Sequence, residues 1–485
     1  MAQPLTLGEI GGLPARALAN LALDRAGAWH SDADVHLRAW PWPYRAGLAL
    51  SNDCDSQSVD CLRNWHSFVN GKGATTYGDG LGLEVGDSFW VYGNGVEPAL
   101  WKGNPFDAAN ADGYALGAIV ALAQAGFLDT LHSFGNWTAR LMPADRVGDP
   151  TLFARESILR GLDRLDALGL KPSVYVNHSG SPSNVGGPWG SYQRADNPAE
   201  RLYALDALRA FGLRFYWPDA CTDIEKFGNE LRFDSTAELK RSIEQFAWEP
   251  WLRRKDTDGI PIAIDLPDDQ AEIEAMFAAW HNRAIFPVRG GDGTLIHAFK
   301  RYRGIDQPVG SIFSSQVTEA KLARLEAQGG AVVIYQHFGV FGPRGRAPTI
   351  SRHHRARSPI PALDRNSVAT WQLIAERHQS GALFVATQGR LLDWIWRRSS
   401  LRLSVERTPT RWVVTLAGFA CPVEGERPVE DRDLNGLALV IPADAPEVVV
   451  VRLGRTGVLP MHRAADGANH VVHMPWQPLE WFDVF

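Results

Sequence analysis

An irregular (β/α) barrel of about seven strands, with an inserted hairpin region and a small C-terminal antiparallel β domain, is the α/β fold class that this sequence predicts. Three observations carry it. A unit of helix, glycine, short apolar strand and polar residue recurs along the middle of the chain. Asp and His residues stand just after those apolar runs. Beyond residue 400 the texture changes to alternating strands cut by Pro, Gly and Asp turns. The implied division is an N-terminal extension packed on the barrel over 1–46, the barrel over 47–398 and the β domain over 399–485.

The composition bounds what such a chain can do. Its 485 residues, 45% hydrophobic and 21% charged, suffice for a large barrel core with an appended domain. A formal net charge of −6 offers no basic surface for a phosphate backbone, so nucleic acid is not an expected partner. No apolar run reaches the roughly 18–20 residues of a membrane span, and the first residues lack a basic stretch followed by an apolar one. A cytoplasmic protein without a membrane span is the expectation. Cys54, Cys61, Cys221 and Cys421 are too scattered for a disulfide framework or a four-thiolate zinc site. The 18 Trp residues include Trp90, Trp101, Trp137, Trp189 and Trp217 in Gly/Pro-rich surroundings, where they anchor loops or form flat platforms for sugar rings.

Taken in order, the opening strand is the run Gly47-Leu48-Ala49-Leu50-Ser51-Asn52, which ends in Asp53 and Asp55. Residues 72–105, rich in Gly and aromatics, predict hairpins inserted in the first loop. The repeating units follow. A helix over 112–125 leads to a strand over 127–131 that ends in His132, and a helix over 151–168 leads to a strand over 172–176 that ends in Asn177 and His178. Residues 198–211 lead to 213–217, ending in Pro218 and Asp219, and 317–328 lead to 331–335, ending in Gln336 and His337. A last helix over 367–379 precedes a strand over 382–386. The stretch 220–300 is less regular, with strands expected at 260–264 and 295–299 and a helix near 271–281. Runs at 401–405, 411–416 and 448–453 make up the β domain.

A closed sheet brings Asp53, Asp55, His132, His178, Asp219 and His337 to one rim. A divalent metal that activates water needs a few N and O ligands and an open position. Asp55 and His132 offer one of each, Asp53 beside them suits a base, and His337 suits the acid for a leaving group. Each also has a structural use, since a strand-end carboxylate can cap a helix and a His can bond a carbonyl. Convergence of the group is what points to chemistry.

The Asp-x-Asp at the first strand, His132-Ser133-Phe134-Gly135-Asn136 at the second and Val332-Val333-Ile334-Tyr335-Gln336-His337 near the last third resemble the polysaccharide deacetylase superfamily over roughly residues 45–390. The resemblance implies an irregular (β/α) barrel and metal-dependent removal of an acetyl group from a carbohydrate substrate. It implies Asp53 as base, Asp55 and His132 as ligands of zinc or another divalent metal, and His337 as acid. Cys54 separates an acidic pair that is commonly adjacent in that family. Asn136 stands where its second histidine would be, so Asn136 and His178 are both candidates for the remaining ligand. Arg301, in Lys300-Arg301-Tyr302-Arg303-Gly304, is a candidate for the arginine that orients the base, and is grouped with Asp219, Trp137 and Trp217 as substrate-binding. Three alternatives stay open. One is a metal-independent glycosidase using Asp53 or Asp55 with Asp219; another is a catalytically degenerate carbohydrate-binding protein; the third is a different metal-dependent amide or ester hydrolase.

Overall fold

The computed structural model describes residues 34–55, 57–93, 96–103, 111–135, 155–178, 181, 183–185, 195–200, 202–218, 221–222, 284–289, 292–303, 309–339 and 363–484. Nine strands position the site: β1 (Ala46–Asn52), β2 (Asp87–Gly93), β3 (Leu128–His132), β4 (Val174–Val176), β5 (Phe215–Trp217), β6 (Leu295–Phe299), β7 (Arg301–Tyr302), β8 (Ala331–Gln336) and β9 (Leu383–Val385). They fall in two sheets. In the eight-stranded sheet the order is Ile285–Arg289, β6, β5, β4, β3, β2, Ala99–Lys102, Ala111–Asp112, and β6 through β2 run parallel. The five-stranded sheet is wholly parallel, in the order Cys221–Thr222, β7, β8, β1, β9.

Every residue of β1 is buried, as a strand between two parallel neighbours under helices requires. A Cβ on Gly47 would lie 2.5 Å from the Trp40 ring, so only glycine lets β1 pass beneath that indole. Helix Val59–Val69 follows, capped by Ser58, whose side chain accepts from the Cys61 amide. It buries Leu62, Trp65, Phe68 and Val69. Trp65 stacks on Phe338 at 4.2 Å and Phe313 on Trp371 at 4.8 Å, which backs the segment after β8 with a packed aromatic wall.

The two sheets meet along two seams. At one, β6 and β7 are consecutive along the chain with only Lys300 between them, so one backbone crosses from the first sheet to the second. At the other, short β9 pairs only with Ala46–Leu48, which leaves the upper end of β1 to meet β2. There Ser88 Oγ donates to the Asn52 carbonyl at 2.8 Å and accepts from the Cys54 amide at 3.1 Å. The chain is thus mixed α/β, and among the described residues the nine site-positioning strands lie in two sheets rather than one continuous hydrogen-bonded ring.

Several expectations shift. The aromatic run Asp87–Gly93, expected among inserted hairpins, is a fully buried parallel strand of the main sheet; a separate small hairpin pairs Ala74–Thr75 with Gly78–Asp79. The expected helix over 112–125 starts later, as Leu116–Gln124, because Ala111–Asp112 pairs as a strand. Helix Gln388–Ser400 was not expected from the sequence; Asp129 Oδ2 accepts from its Gly389 amide at 2.6 Å, a cap supplied from β3. The C-terminal strands are not all antiparallel, since Glu447–Arg452 runs parallel to Arg411–Cys421. His36–Leu37 pairs with Ala438–Pro442, so this part of the N-terminal segment extends a C-terminal sheet. The strand expected at 260–264 and the helix near 271–281 lie outside the described residues. Among the described residues no helix is long and apolar enough to cross a membrane.

Candidate active site

The ladder between β1 and β8 runs one residue past Asn52, where the Asp53 amide donates to the Gln336 carbonyl at 2.8 Å. The Asp53 side chain is buried, and Arg301 grips it with two bonds, Nη1 to Oδ1 at 2.5 Å and Nη2 to Oδ2 at 3.2 Å. Arg301 is itself fully buried. Its Nη1 also donates to Ser51 Oγ at 3.1 Å, and its guanidinium lies between the rings of Trp217, 3.3 Å from the centroid, and Tyr335, at 3.6 Å. A planar cation between two rings is desolvated on its faces and directs its edge at the carboxylate.

Three histidines close around the carboxylates. Oδ2 of Asp53 faces His132 Nε2 at 3.5 Å and His337 Nε2 at 3.7 Å. The other His132 nitrogen, Nδ1, is 3.4 Å from Asp55 Oδ1, and Asp55 Oδ2 is 3.1 Å from His178 Nε2. His132 therefore stands between the two acids, stacked on Trp90 at 4.2 Å and perpendicular to His178. Ser133, just after it, adopts a left-handed φ of 55°. Its Oγ bonds Ser181 Oγ at 3.0 Å and Ser183 Oγ at 2.5 Å, tying the ends of β3 and β4 beside the two imidazoles, which meet edge to face.

Charge divides the acids further. Burial pushes the Asp53 carboxyl up, yet Arg301, His132 and His337 together hold it below the ordinary value. Burial acts the same way on Asp55, and His178 and His132 outweigh it strongly. Burial drives His132 down to about 4 against the pull of both carboxylates, which keeps the imidazole neutral at pH 7. His178 is raised, because Asp55 overcomes the cost of burial. Asp55 Oδ1, His132 Nε2 and His178 Nδ1 are each buried without a hydrogen-bond partner. As the side chains stand, no group of three or more His, Cys, Asp or Glu among the described residues is arranged to hold a metal ion.

Behind the acids lies a support that sequence reasoning missed. Asn52 Nδ2 donates to Asp87 Oδ1 at 2.9 Å and to Gln57 Oε1 at 3.0 Å, while its Oδ1 accepts from the Phe338 amide at 2.9 Å. One side chain thus links the loop carrying Asp53 and Asp55 to the loop carrying His337. The Asp87-Ser88-Phe89-Trp90 run was the available signal: two polar residues entering an aromatic strand.

Of the residues singled out from the sequence, Asp53, Asp55, His132, His178 and His337 come together. Arg301 and Trp217, expected at the substrate, do not line an open surface. Arg301 is 0% exposed and spends its edge on Asp53, and Trp217 is 4% exposed with Arg301 against its face. Arg301 instead holds Asp53, the residue it was also expected to orient. Asn136, Trp137 and Asp219 lie outside the described residues. A scan against family models finds no match to this chain, and a search of curated proteins finds none either.

Proposed function

We propose that the protein is a metal-dependent hydrolase that removes an acetyl group from a carbohydrate, and that its two sheets are the arcs of an irregular (β/α) barrel with this site at the mouth. The observation that carries the reading is the division of labour between two acids at one strand end: Asp53 is locked to Arg301 and flanked by His132 and His337, whereas Asp55 sits between two imidazoles.

Asp55, His132 and His178 would hold the ion. Their donor set of one carboxylate and two imidazoles suits zinc. Asp55 Oδ1 is 3.4 Å from His132 Nδ1 and Asp55 Oδ2 is 3.1 Å from His178 Nε2, so both rings stand about one ligand–ligand edge, about 3.3 Å, from an oxygen of the carboxylate. Asp55 Oδ1, which faces His132 Nδ1 and is buried without a hydrogen-bond partner, favours the same assignment. When bound, such an ion supplies Lewis acidity toward the acetyl carbonyl and makes water more acidic. Asp53, kept ionised by Arg301, accepts the proton of the attacking water. His337, whose Nε2 lies 3.7 Å from Asp53 Oδ2, donates a proton to the departing amine or alkoxide. A carboxylate so firmly held ionised is a poor proton donor, which weighs against the glycosidase alternative.

The test is acetate release from N-acetylated chitooligosaccharides and O-acetylated xylooligosaccharides by the zinc-loaded protein. Wild type releases acetate, and D53N and H337A each lose about 10²- to 10⁴-fold in kcat. New reducing ends without acetate would overturn the reading.

A further inference from the structure

β1 and β8 end level with each other, at Asn52 and Gln336, but the bonding between the two segments does not stop there. The Asp53 amide donates to the Gln336 carbonyl, and a continued parallel ladder would next set the Phe338 amide on the Asp53 carbonyl. The Phe338 amide instead donates to Asn52 Oδ1 at 2.9 Å, so a side chain stands in for that rung. Asp53 can then turn out of the sheet while the loop carrying His337 stays tied to the residue before it. We propose that Asn52 is a positioning residue for the reaction, setting through this substituted rung the spacing between Asp53 and His337. The proposal rests on the base and acid roles proposed above and assigns the part that holds them in place.

The orientation of the Asn52 amide is forced. A backbone N–H can only donate, so Oδ1 must face Phe338 and Nδ2 must face the other way. There Nδ2 meets both oxygens of Asp87, at 2.9 Å and 3.0 Å, and Gln57 Oε1 at 3.0 Å. Asp87 is in turn held by the Ser88 amide, which donates to Oδ1 at 2.7 Å, and by Gln57 Nε2, which donates to Oδ2 at 3.3 Å. Asn52, Gln57 and Asp87 are all buried, so water does not compete for these bonds. Packing draws the same two loops together: a Cβ on Gly339 would lie 2.6 Å from the Gln57 backbone, a close approach that only glycine permits. Between the two loops Asp53 Oδ2 stands 3.7 Å from His337 Nε2. A misplacement of about 1 Å in such a pair costs on the order of 10²-fold in rate.

The test is acetate release by the zinc-loaded full chain, assayed well below the Tm of each variant and normalised to bound zinc. N52A removes the substituted rung without adding charge, and is expected to lose about 10²-fold in kcat with KM within about threefold of wild type. N52D turns an acceptor toward Asp87 and is expected to lose at least as much. The exchanged pair N52D/D87N again sets a donor opposite an acceptor while residue 52 still accepts from Phe338, and is expected to recover at least about tenfold over N52A and N52D alike. Comparison with N52A keeps the result readable if N52D does not fold. G47A, which disturbs the far end of the same strand, is expected to keep kcat within about threefold. An N52A kcat within threefold of wild type, an exchanged pair no better than N52A, or a G47A loss as large as that of N52A would overturn the role of Asn52 and leave the base and acid standing. A wild type that releases no acetate would overturn both.

Discussion

Arg301 is a fully buried cation paired with the buried Asp53 carboxylate, and that makes its removal more than the loss of a contact. R301A leaves Asp53 buried without its guanidinium partner, and should destabilise the fold by about 3–5 kcal/mol in urea unfolding. The double variant R301A/D53N should be less destabilised than the sum of the single changes, because neither charge then lacks a partner. Strict additivity would mean that the pair is not energetically coupled. At this scale the sequence was informative wherever a reactive side chain closed an apolar run: Asp53, Asp55, His132, His178 and His337 were all legible that way. Arg301 was only half legible. Its partner lies 248 residues away, and nothing in a linear reading says which acid an arginine will meet.

Among the elements, the N-terminus of helix Gln388–Ser400 offers a titration outside the site. Asp129 of β3 accepts from the Gly389 amide, and burial raises its carboxyl to about 6. A carboxyl raised above its unfolded value of about 3.9 stabilises the fold most below that value. The contribution is lost as pH rises through about 6. D129N should therefore flatten the pH dependence of stability over this window and raise stability at pH 8 by about 1 kcal/mol, discounted for partial exposure, as thermal unfolding would show. An unchanged slope would contradict it. On β1, G47A should cost about 1–3 kcal/mol, since its Cβ would meet the Trp40 ring. The repeating units were readable because helix and strand periods differ and glycines mark their junctions, as with Glu319–Gln328, Gly329 and β8. β2 was misread because a strand buried on both faces has no alternation, and its glycines and aromatics imitate hairpin chemistry.

For the whole molecule, ligand linkage gives the most direct check on the metal reading. Zinc at about 100 times its Kd should stabilise the protein by about 2.7 kcal/mol, seen as a rise in Tm that a chelator reverses, while magnesium does much less. No rise would count against a bound ion. The division into βα units followed by β sheets was visible in sequence texture, but the way the two site-bearing sheets meet was not. Their junction depends on the single-residue passage at Lys300 and on the side-chain bridge from Ser88 to Asn52.

That passage at Lys300 also works as a ruler. Arg301 is the second residue after β6 ends, so its place beside Asp53 is set by how β6 aligns with β5, where Phe215 faces His297. A slip of one residue there would displace Arg301 by about 3.3 Å and turn its side chain to the opposite face. The grip on Asp53 would then be lost although no residue of the site had changed. Insertions or deletions of a single residue between 295 and 300 should therefore abolish activity more completely than most substitutions within the site itself, which makes this short span the molecule's alignment standard.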